Sequence, residues 1–92
     1  MYENVKLILD ISKERNIDLH TARDMAMNEN QDIKDDISSA FDHVLNPHYY
    51  DFVTLLRCNN KDDVLEQFCN EILPTNDRET IVKFINKETK DI

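Results

Sequence analysis

Three histidines, two cysteines, three serines and nineteen carboxylates are the side chains of this 92-residue chain with chemistry to offer. A zinc site needs its ligands at short, characteristic spacings. His20, His43 and His48 show none with one another or with Cys58 and Cys69, and Pro47 separates His43 from His48. Acid–base catalysis needs two carboxyls whose surroundings push their pKa values apart. Asp35-Asp36 and Asp62-Asp63 are sequence neighbours, which on an exposed helix diverge by about 100° and lack the necessary burial. Ser12, Ser38 and Ser39 have no nucleophile elbow around them. The chain contains no glycine, which rules out a GxGxxG turn or a Walker A phosphate cradle. The expectation is a protein that is not an enzyme and uses neither cofactor nor metal.

What remains is electrostatic. Twelve carboxylates lie between Asp18 and Glu71, against only Arg23, Lys34, Arg57 and Lys61, so this segment holds the whole formal net charge of −8. In the flanks the charges cancel. Glu3, Asp10 and Glu14 balance Lys6, Lys13 and Arg15, and Asp77, Glu79, Glu88 and Asp91 balance Arg78, Lys83, Lys87 and Lys90. Unbalanced like charge opposes compaction but creates a field able to steer a basic partner.

The elements that must position these groups read as helices. Ninety-two residues with 40% hydrophobic content suit one small core. The first helix spans Tyr2 to Arg15, with Val5, Ile8, Leu9 and Ser12 at helical spacing, and Asp18 caps a second. Ile33, Ile37, Ala40, Phe41, Val44 and Leu45 form the clearest helical stripe. Asn46 is expected to cap a fourth helix with Pro47 in its first position, Asn60 with Asp63 to open a fifth, and Asn76 with Glu79 to form a capping box for the last. Seven asparagines (Asn16, Asn28, Asn30, Asn46, Asn59, Asn60 and Asn76) sit where glycine would otherwise end helices. No internal repeat or linker is evident. The expected fold is all-α, a single domain over residues 1–92 of five or six short amphipathic helices, with Ile37, Phe41, Val44, Phe52, Leu56, Phe68, Ile72, Ile81 and Ile85 in its core.

On a wheel of the third helix, Asp32, Asp35, Asp36 and Asp42 fall at about 180–300° from Ile33, opposite the apolar arc. Asp63 and Glu66 likewise oppose Phe68 and Ile72. The candidate partner-binding residues are therefore Glu29, Asp32, Asp35, Asp36, Asp42, Asp51, Asp62, Asp63 and Glu66. They would act as phosphate mimics for a basic DNA-binding protein, without binding nucleic acid themselves. Tyr50, beside Asp51, is a candidate aromatic contact, because aromatics anchor interfaces, while Tyr49 is expected to pack inwards. No apolar run is long enough to span a membrane, and none at the N-terminus follows a basic start. A cytoplasmic protein with two thiols is expected.

In size, acidity and helical patterning, from MYENVKLILDISKERN through ISSAFDHVLNPHYYDF to IVKFINKETKDI, the chain resembles the small DNA-mimic inhibitors of bacteriophages, and is most similar to the Arn-type anti-restriction proteins of T-even phages. The resemblance implies inhibition of a McrBC-type restriction endonuclease in the host cytoplasm, a homodimer whose joined acidic surfaces imitate a bent duplex, and binding to bacterial nucleoid proteins. Tyr49-Tyr50 with Asp51 is also similar to the Tyr-Tyr pair of DNase immunity proteins, although here Asn46-Pro47-His48 precedes the pair. A third alternative is a helical adaptor or anti-sigma-like module that uses an apolar groove.

Overall fold

The computed structural model describes residues 2–90, so Asp91 of the C-terminal charge balance lies outside the described residues. The chain is all-α, without strands among the described residues. It forms two compact units, Met1–Pro47 and His48–Ile92.

In the first unit α1 (Tyr2–Arg15) has the length expected from its apolar spacing, and it buries Val5, Ile8, Leu9, Ile11 and Ser12. Burying an aliphatic side chain of this size is worth about 1.5–3 kcal/mol. Asn16 ends the helix with a positive φ of 53°, and the Ile17 amide reaches back to the Ser12 carbonyl at 3.2 Å. This is the pattern that glycine usually serves, taken over here by asparagine. Asp18 then opens α2 (Leu19–Glu29), its Oδ1 accepting from the Thr21 amide at 2.6 Å. Leu19, Ala22 and Ala26 face inwards, and α2 packs on α1. A 3₁₀ turn, Gln31–Ile33, leads into α3 (Lys34–Ala40), which continues as a π turn over Phe41–Leu45. Phe41 is buried, with the His20 ring 5.1 Å away and the Arg23 guanidinium 4.6 Å over its face, a cation–π contact.

In the second unit α4 (Tyr49–Leu55) packs on α5 (Lys61–Gln67) and on α6 (Arg78–Thr89). Its centre is aromatic. Phe68 stands edge-on to Phe52 with centroids 5.0 Å apart, and lies 5.9 Å from Phe84. Cys58 and Cys69 are both buried. The Cys58 thiol donates to the Glu88 carbonyl at 3.5 Å, and burial pushes its pKa up.

The two prolines shape both units in the same way. Proline has no N–H and clashes with the carbonyl four residues back. Ahead of Pro47 the Asn46 amide bonds the Phe41 carbonyl, five residues back, and ahead of Pro74 the Leu73 amide bonds that of Phe68. Each helix thus widens into a π turn before its proline and tightens into a 3₁₀ turn around it, at Asn46–His48 and Leu73–Thr75. Residues 34–48 and 61–75 therefore repeat one architecture of seven α, five π and three 3₁₀ residues. Lys, Asp, Asp, Phe and Pro are identical in register. The repeat is not evident as a sequence repeat because those five shared positions are scattered over fifteen. Replacing Pro74 by Ala should close the second π turn to α and protect the new residue-74 amide from hydrogen exchange. An unprotected amide there would show that proline is not the cause.

The same turns correct several expectations. Asn46 does not cap α4; it lies in continuous helical chain at φ −61°, and α4 starts three residues later. Asn60 precedes α5 but makes no side-chain cap bond. The cap of α6 is Asp77, while Asn76 takes the left-handed conformation at φ 52° that ends the preceding turn. Of the expected core, Leu56 and Ile72 are only half-buried, and their neighbours Leu55 and Leu73 are buried instead. After Phe68, in the second π turn, the inward positions are Cys69 and Leu73, whereas in the first π turn Val44 and Leu45 are buried. The other seven expected core residues are buried.

Hydrogen bonds from the Thr21 hydroxyl and amide hold the Asp18 carboxyl below its ordinary 3.8, and those from Thr80, then Glu79, do the same for Asp77. Carboxyls lowered in the folded state contribute stability that is complete above 3.8 and fades as pH falls below it. Asp18→Ala or Asp77→Ala should lower the urea midpoint at neutral pH, and the gap to the parent should narrow well below pH 3.8. Asn at either position, still an acceptor, should retain most of the neutral-pH midpoint. Ala variants with the parent's midpoint would contradict both caps.

Candidate partner-binding surface

Asp32 in the entry turn, Asp35 and Asp36 in the first turn of α3, and Asp42 in the π turn are all exposed, while Ile37, Ala40, Phe41, Val44 and Leu45 are buried. Negative side chains in a first turn are favoured by the helix dipole, which opposes the mutual repulsion of Asp35 and Asp36 at the start of α3. On α5, Asp62, Asp63 and Glu66 are exposed as well. Asp63 and Glu66 line one open groove with Gln67, Asn70 and Glu71. Glu71 was absent from the candidate set. Its signal was available, since residues 63, 66, 67, 70 and 71 follow the i, i+3, i+4, i+7, i+8 spacing of a single helix face.

Two candidates have a nitrogen-bearing side chain close by. Glu29, the last residue of α2, receives the Arg15 guanidinium at 2.7 Å. Asp51 is half-buried, 3.4 Å from His48 Nδ1. The first contact depends on the packing of α1 against α2 and joins residues fourteen apart, whereas the second is a local i,i+3 pair. By contrast, Asp32, Asp35, Asp36, Asp42, Asp63 and Glu71 enter no ion pair among the described residues.

Tyr50 is 82% exposed, and among the described residues only Val82 joins it as an exposed large hydrophobic residue. Its ring is steadied edge-on by Tyr49 at 5.6 Å, and Tyr49 is half-buried. The remaining groups with chemistry to offer are dispersed. His20 lies on Phe41, His48 beside Asp51, and His43 at the surface. Among the described residues no three His, Cys, Asp or Glu side chains gather as a metal ion would require. No helix of the described residues is long and apolar enough to cross a membrane.

Compared with models of protein families, with curated proteins and with solved structures, the chain matches none. The case for a function therefore rests on the geometry and charge of the acidic helix faces.

Proposed function

We propose that the protein is an acidic DNA mimic that occupies the DNA-binding site of a restriction endonuclease of the McrBC type, or of another basic DNA-binding protein, bacterial nucleoid proteins included. It acts by occupancy, without catalysis, cofactor or direct contact with nucleic acid, in the cytoplasm of a bacterial host. The observation that carries this reading is the set of exposed carboxylates on α3, α5 and the π turns that follow them. One DNA strand presents a phosphate about every 3.4 Å of axis. Asp63, Glu66 and Glu71 span eight residues, or about 12 Å of helix, where a strand would place three or four phosphates. Asp32, Asp35, Asp36 and Asp42 provide a second row of comparable density. A site built from Lys and Arg to hold phosphates would accept such rows.

The test is competition. Added to a McrBC-type endonuclease with methylated duplex, the protein should suppress cleavage in proportion to its concentration and lose potency as salt rises, because exposed charges are screened over about 8–10 Å near physiological ionic strength. A DNase immunity-type reading is favoured by one observation, the exposure of Tyr50 beside Asp51. That reading expects Tyr50→Ala to abolish inhibition of a nuclease, with little salt dependence. With only Tyr50 and Val82 exposed among the large hydrophobic side chains of the described residues, an adaptor that docks through an apolar groove has less surface to use.

We also propose that the protein acts as a homodimer through the charge-balanced α1 and α6. Self-pairing of the acidic segment would cost repulsion, whereas two copies joined elsewhere would lengthen the mimicked duplex. Sedimentation equilibrium should show twice the chain mass at micromolar concentration. A monomer at high micromolar concentration would remove this idea.

A further inference from the structure

We draw no further inference here: the strongest candidate, the Lys-Asp-Asp start that α3 and α5 share at residues 34–36 and 61–63, is a pair of acidic helix starts that the helix dipole already accounts for, and nothing in the structure shows what would cover them.

Discussion

Replacing Asp32, Asp35, Asp36 and Asp42 together by Asn is expected to leave the fold intact and to slow association with the target by about 10- to 1,000-fold at low salt, the range over which electrostatic steering acts. All four side chains are exposed and opposite the buried stripe, so no packing is lost. Asp35 and Asp36 each give up about 0.3–1 kcal/mol of favourable interaction with the start of α3. Relief of mutual repulsion, about 1 kcal/mol or less per pair in water at such spacings, acts in the opposite direction. Stability should therefore change little, while the association rate falls. High salt should erase the difference between variant and parent, which separates a steering loss from a lost contact. The control is a urea titration. A variant that unfolds at a much lower denaturant concentration would mean that these residues support the fold.

The largest effect on stability is expected at Phe68. Its ring is fully buried between Phe52 and Phe84, and truncating a buried Phe to Ala costs about 3–5 kcal/mol. Small domains have only about 5–15 kcal/mol in total, so Phe68→Ala should leave the chain near the limit of folding at 37 °C. Phe68→Leu keeps most of the apolar volume and should fold with a smaller loss. Urea unfolding followed by circular dichroism measures both. A loss below about 1 kcal/mol for the Ala variant would contradict the central place given to this ring.

Much of this was legible in the residues, and the reasons differ from element to element. The bounds of α1 and the Asp18 cap follow from local signals alone, an apolar stripe and a side chain that can accept from an amide three residues on. The stripe of Ile37, Phe41 and Val44 was also readable, because each residue lies one turn from the next. Pro47 was expected to open a new helix behind an Asn46 cap, yet around both prolines the helical chain continues by widening and then tightening. The two turns differ in which residue they bury, Leu45 in the first and Leu73 rather than Ile72 in the second, so the inward position after each could not be read from spacing alone. Leu55 displaced Leu56 because α4 is only seven residues long, and two periodic choices fit so short a segment equally well. At the surface, exposure followed from helical phase, but neutralisation did not. The bond between Arg15 and Glu29 links residues fourteen apart, and only the packing of α1 against α2 brings them together.

The central claim is that the acidic faces compete with DNA for one basic site. Fluorescence anisotropy of a labelled methylated duplex bound to a McrBC-type endonuclease, titrated with the parent and with the Asp32, Asp35, Asp36 and Asp42 quadruple Asn variant over a range of salt, tests it most directly. The account predicts full release of the duplex by the parent, weaker release at higher salt, much weaker release by the variant, and no change in anisotropy when the parent meets the duplex alone. Failure of the parent to displace the duplex, or equal displacement by parent and variant at low salt, would contradict it.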